Sequence, residues 1–146
     1  MSTNPNDDAI IICLADVEYN LRDEVAVINW LKNIASTNNR AISSLEYVFC
    51  SDAFLLDINK KYLAHDTLTD IITFPLNDNP LEATIFISIE RVEENAHIYS
   101  ISPEEELHRV MAHGLLHLVG YKDKSDEEKS EMRFQENAVL DQRTFI

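Results

Sequence analysis

Apolar residues gather in short runs through the first part of the chain and recur at helical spacing through the last part. Ile10-Ile11-Ile12-Cys13-Leu14 and Leu45-Glu46-Tyr47-Val48-Phe49-Cys50 are brief, apolar and bounded by turn formers, which predicts two buried strands. Ile71-Ile72-Thr73-Phe74, stopped by Pro75, and Thr84-Ile85-Phe86-Ile87-Ser88-Ile89 complete a set of four. Val25, Ile28, Leu31 and Ile34 follow Asp23 at helical steps, with Asp23 the expected N-cap, and Ser51 or Asp52 opens a second helix running to about Tyr62. Beyond the fourth strand the pattern is helical. One helix runs from Glu90 to about Ala96, another opens at Ser102-Pro103-Glu104-Glu105, and the last begins near Ser125. Ser102 with Glu105 has the spacing of a capping box, and Pro103 falls at the first helical position, where its missing donor costs nothing. The order predicts an α+β (mixed α/β) domain with a small four-stranded sheet and about five helices.

No repeat or linker divides the 146 residues, so one domain over 1–146 is expected after a polar leader at 1–8. Twelve Lys and Arg stand against 26 Asp and Glu, a formal charge of −14. That excess excludes a broadly basic nucleic-acid-binding surface and leaves room only for a local basic patch. The leader lacks the basic start and apolar run of a secretory signal, and no stretch approaches a membrane span. A cytoplasmic protein with no membrane association is expected. Cys13 and Cys50 lie in separate apolar runs, which predicts two buried, reduced thiols.

The chain has only two glycines, and both fall in Ala112-His113-Gly114-Leu115-Leu116-His117-Leu118-Val119-Gly120-Tyr121. Leu107, Val110, Met111, Gly114 and Leu118 form the apolar face of the helix that carries this segment. At about 100° per residue, His113 and His117 stand about 40° apart and one turn along the axis, so both imidazoles reach one cation. His108 points about 140° away from His113 and is left out. Two histidines supply half of a tetrahedral zinc shell, and a catalytic site needs one more protein ligand. Gly120 suits the left-handed residue that ends a helix, and the reversed chain brings Asp123 back toward the same ion. The expected ligands are therefore His113, His117 and Asp123, holding one Zn²⁺ per chain. Gly114 inside the helix signals close approach, either of substrate near the metal or of another element in simple packing. The spacing also resembles the zinc helix of the metzincin proteases, but Gly114 stands where those enzymes carry a glutamate base.

His113-Gly114-Leu115-Leu116-His117-Leu118-Val119-Gly120-Tyr121 closely resembles the signature of the YbeY family of bacterial single-strand endoribonucleases and ribosomal RNA maturation factors. Asn59-Lys60-Lys61-Tyr62 with Asp66-Thr67-Leu68-Thr69-Asp70-Ile71-Ile72-Thr73-Phe74-Pro75 is similar to the family's other typical stretch, and Ile85-Phe86-Ile87-Ser88 is a weaker match. The chain departs from the pattern in three places. Lys122 and Asp123 stand where the family has Asp and a third His, Leu63 where it has Arg, and Ala83-Thr84 where it has Gly-Asp.

The resemblance implies metal-assisted cleavage of single-stranded RNA, chiefly ribosomal RNA, in ribosomal RNA maturation and ribosome quality control, with the small ribosomal subunit or its associated proteins as partners. The spacing identifies no general base, and Asp66, Asp70 and His65 are the candidate catalytic residues. Lys60, Lys61, Lys122 and Lys124 flank the matching segments and are the candidate substrate-binding rim. Leu63 in place of arginine also leaves open a ribosome-associated binding factor that cleaves weakly or not at all.

Overall fold

The computed structural model describes residues 9–64 and 68–146. Within them the chain runs β1 (Ile10–Leu14), α1 (Glu24–Thr37), β2 (Ile42–Cys50), α2 (Asp52–Leu63), β3 (Ile71–Asn77), β4 (Leu81–Ser88), α3 (Ile89–Tyr99), α4 (Pro103–Leu118) and α5 (Asp126–Asp141). The four strands form one sheet in the order β1-β2-β4-β3. β1 and β4 lie parallel to β2 on either side, and β3 pairs antiparallel with β4 at the edge. This is the expected α+β class, with the histidine pair on a helix of the C-terminal half.

Successive strand residues face opposite sides of a sheet, and that alternation divides the core. Tyr47, Phe49, Ile85 and Ile87 face the larger cluster, which α1, α3, α4 and α5 complete with Leu31, Val92, Met111 and Leu140. Cys50, Ile72 and Phe86 face a smaller cluster under α2, with Leu55 and Ile58. Two buried hydrogen bonds tie the helices down. The Tyr47 hydroxyl donates to the Met111 carbonyl of α4 at 2.9 Å, and Trp30 Nε1–H donates to the Val139 carbonyl at 2.7 Å. The second bond serves a carbonyl in the last turn of α5, which otherwise accepts only the long 3.2 Å bond from Gln142 N–H that ends the helix.

Several boundaries differ from expectation, each for a physical reason. β3 does not stop at Pro75 but runs through it, because an edge strand has one side on which a missing N–H removes no ladder bond. β4 ends at Ser88, whose hydroxyl accepts from Arg91 N–H and caps α3, so Ile89 starts a helix. Val25 is 73% exposed although it shares the spacing of Ile28, Leu31 and Ile34. Repeated steps of three residues drift backward by about 60° each, which turns Val25 to the side opposite Ile34. Asp23 precedes α1 in a left-handed conformation and makes no side-chain cap bond. At α4 only half of the capping box forms. Ser102 accepts from Glu105 N–H, while the Glu105 carboxylate takes a hydrogen bond from buried Arg143 at 2.9 Å. Both cysteines are free thiols, Cys50 buried and Cys13 half-buried.

Candidate metal centre

The site is built on α4 and the turn that ends it. Gly114 lies against β3 and β4, where a Cβ would come within 2.9 Å of Ile71 Cδ1 and 3.1 Å of Ile85 Cδ1. Helix packing is therefore what this glycine serves, and it brings His113 and His117 against the start of β3. Gly120 has φ +114 and closes the helix. Its N–H donates to the His117 carbonyl and that of Tyr121 to the Leu116 carbonyl, the paired bonds of a Schellman motif. Five residues later Ser125 caps α5 in a complete capping box with Glu128. Asp123 is thus held between two firmly ended helices.

The geometry brings the three expected ligands together. His113 Nε2 lies 3.3 Å from Asp123 Oδ2, and His117 Nε2 lies 3.2 Å from Asp123 Oδ1. The two rings are 5.0 Å apart, and ligand atoms of the three residues all lie within 4.8 Å of one another. Ligand atoms about 2.1 Å from one tetrahedral ion sit about 3.4 Å apart, so these separations fit a shared metal.

The chemistry of the donors agrees with the distances. His113 Nδ1 lies 2.7 Å from Glu136 Oε2, and an ionised carboxylate only accepts, so Nδ1 carries the proton. In the neutral ring Nε2 is then a lone pair facing another acceptor, Asp123. Such a pair of acceptors needs a cation between them, and a metal ion or a second imidazole proton supplies it. Burial pushes the His113 pKa down, but the hydrogen bond and the charges of Glu136, Asp123 and Asp70 outweigh it, and the net direction is upward. Glu136 is buried on α5, which acts to raise its pKa. The hydrogen bonds from His113 and Arg109 reverse that, and the Glu136 pKa falls below the ordinary carboxyl value. Arg109 reaches Glu136 at 3.0 Å and Asn137 at 2.9 Å.

His113, His117 and Asp123 form part of the wall of an open cleft of about 910 Å³, whose lining also includes Asn59, Leu63, Asp70, Thr73 and Asn77. Asp70 thus shares the cleft with the three clustered residues, and burial raises its pKa against the pull of a backbone hydrogen bond and His113. Leu63 lines it where the resemblance implies arginine. His65 and Asp66 lie outside the described residues. Lys60, Lys61, Lys122 and Lys124 are all exposed, and Lys61 pairs with Asp57 at 3.0 Å. His108 is fully buried and takes a hydrogen bond from Arg143, away from the cluster.

Sequence reasoning missed Glu136, Arg109 and Glu106. A signal was present for the acids. Met132, Glu136, Val139 and Leu140 form the buried stripe of α5, so Glu136 occupies an apolar position, and Glu106 stands on α4 in line with Val110 and His113.

The family model for endoribonuclease YbeY matches residues 12–144. The chain belongs to the endoribonuclease YbeY family. Among relatives named endoribonuclease YbeY, that of Cytophaga hutchinsonii is 45% identical over 141 residues, covering 95% of this chain and 99% of its own length. That of Flavobacterium johnsoniae is 46% identical over 126 residues, covering 86% of this chain and 91% of its own. The YbeY-family chain also shares its fold with the solution structure of TM1509 from Thermotoga maritima, at a TM-score of 0.60 and 24% identity over 90% of each chain. Membership sets aside the protease reading, and Gly114 agrees, since its α-carbon faces Ile71 and Ile85 and has no room for a catalytic carboxylate.

Proposed function

We propose that this chain is a zinc-dependent single-strand endoribonuclease that acts in the cytoplasm in ribosomal RNA maturation and ribosome quality control, with the small ribosomal subunit or its associated proteins as partners. The observation that carries the reading is the meeting of His113, His117 and Asp123 in the wall of a cleft, in a chain of the endoribonuclease YbeY family. Those three residues hold the zinc ion. A bound zinc supplies Lewis acidity, drawing charge from the phosphodiester under attack.

The protein's own groups do the rest. Glu136 keeps the His113 proton on Nδ1 and turns Nε2 toward the ligand cluster. Asp70, in the same cleft, receives the proton of the attacking group, whether water or the neighbouring 2′-hydroxyl, a task for which a raised carboxyl pKa is suited. Asp66 and His65 stand beside it in sequence and serve the same step. Lys60 and Lys61, in the last turn of α2, and Lys122 and Lys124, on either side of Asp123, meet the RNA phosphates at the rim. The acidic remainder of the surface repels long duplexes and confines contact to this mouth.

The test is cleavage of a short end-labelled single-stranded RNA, titrated with zinc. Chelator should abolish cleavage, zinc should restore it, and His117→Ala should remove it. Chelator-resistant cleavage untouched by the substitution would overturn the metal role. A 2′-deoxy nucleotide at the cleaved position separates attack by water, which persists, from attack by the 2′-hydroxyl, which stops. Leu63 in the cleft lining favours one other outcome, RNA binding without cleavage, which would identify a ribosome-associated binding factor.

A further inference from the structure

A second cavity of about 280 Å³ adjoins the cleft among α3, α4 and α5. The two share Asp70, Ile71, His113 and Asp123, so two of the three cluster residues stand on the partition between them, with His117 on the side of the larger cleft. The walls of the smaller cavity include Tyr99 of α3 and Glu106 of α4. Glu106 is only 4% exposed, and its Oε1 is buried with no hydrogen-bond partner. A buried acceptor without a donor is costly, and it marks the place where an incoming donor gains most.

The surroundings narrow the donor. Arg109 is engaged by Glu136 and Asn137, and Arg133 lies 3.5 Å from Glu136. A phosphate meets repulsion here from Asp70, Glu106 and Glu136. Among the described residues, the one group of ligand atoms close enough to share a metal ion is His113, His117 and Asp123, which leaves Glu106 out. Within an RNA strand, the bases are the part that brings N–H donors without a negative charge. Tyr99, 60% exposed, adds an aromatic surface of the kind on which unstacked bases of single-stranded RNA lie.

We propose that the smaller cavity is a nucleobase subsite selecting a base that carries an exocyclic amine, with Glu106 accepting from that amine and Tyr99 forming the wall against the ring. The proposal rests on the reading of the larger cleft as an RNA-cleaving site. An RNA strand crossing the partition puts a phosphate at the ligand cluster and the adjoining base in the subsite. Cytosine and uracil have the same size but reverse their polarity at two adjacent ring positions: cytosine offers an exocyclic amine beside an acceptor nitrogen, uracil a carbonyl beside an N–H, and the subsite places Glu106 at the first of these. There Glu106 accepts from the amine and repels the carbonyl.

The experiment is a chemical-shift titration at pH 8, where the Glu106 carboxyl is ionised, of the zinc-loaded, isotope-labelled protein with cytidine and uridine 5′-monophosphates. The expected result is cytidine monophosphate binding about tenfold tighter, with the Asn95 and Tyr99 amides shifting. Glu106→Leu should erase the preference. Tyr99→Ala, at an exposed position that leaves the core intact, should weaken both nucleotides several-fold. Equal binding of the two by the wild type, a preference surviving Glu106→Leu, or indifference to Tyr99→Ala would each overturn the subsite. The titration reads binding of uncleavable nucleotides, so a failure of the nuclease reading shows separately, as absence of RNA cleavage.

Discussion

His113 Nδ1 and Glu136 Oε2 lie 2.7 Å apart, joining a helix that carries two of the candidate metal ligands to the next helix along the chain. The carboxylate fixes which ring nitrogen bears the proton, and partners of this kind raise a histidine's strength as a ligand. Glu136→Gln should therefore weaken zinc affinity by about 10–100-fold, read by competition against a chromophoric chelator. Unchanged affinity would reduce Glu136 to a packing role.

Asp123 is the one candidate ligand outside α4, so it decides whether a metal would link helix to loop. Protein purified without added metal should contain about one zinc per chain, and Asp123→Ala should lose most of it. Zinc at 100 times its dissociation constant should add about 2.7 kcal/mol to wild-type stability and nothing comparable to His117→Ala, measured by thermal unfolding. Zinc content indifferent to Asp123 would place the ion elsewhere.

Gly114→Ala sets two opposing effects against each other. Alanine favours a helix over glycine by about 1 kcal/mol. The new methyl group meets Ile71, which has room at its far end, and Ile85, which is fully buried and has none. Overpacking of about 1–3 kcal/mol prevails, so urea unfolding should show net destabilisation of about 1 kcal/mol. Zinc affinity should fall with it, because α4 must lift from Ile85 of β4.

Glu106 has its pKa pushed up to about 7 from 4.5 by burial and by the charge of Asp70, with Glu136 adding to the rise and Arg109 and Arg133 opposing it. A carboxyl that holds its proton more tightly when folded stabilises fully below its unfolded pKa and loses that contribution as pH rises through the folded one. The window here runs from about pH 4.5 to about pH 7. Glu106→Gln should match the wild type at the acid end and exceed it at pH 8, by about 1–3 kcal/mol. Parallel stability profiles for the two proteins would refute the assignment.

What could be read from the chain follows how far each interaction reaches. The histidine pair, Gly120 and Asp123 lie within eleven residues, and one helical turn plus one helix end positions them all. Glu136 meets His113 from 23 residues away, through the packing of α5 on α4, and no local pattern pairs them. The same holds for Glu105, which has the spacing of a cap but is drawn off by Arg143, 38 residues on. Pro75 looked like a strand terminus because its cost depends on whether the strand lies at an edge, and only the assembled sheet decides that. Val25 was a matter of arithmetic, since steps of three are not steps of 3.6.

The place of Pro75 also bears on how the protein keeps company with itself. β3 is the outer strand beside the cleft, and an exposed strand edge is a template on which another sheet can grow. Proline offers no N–H there, and the ladder with β4 slips between Pro75 and Asn77. Both features spoil the regular row of donors that a second chain needs. The cleft can stand open to its ligand without inviting aggregation through the same edge.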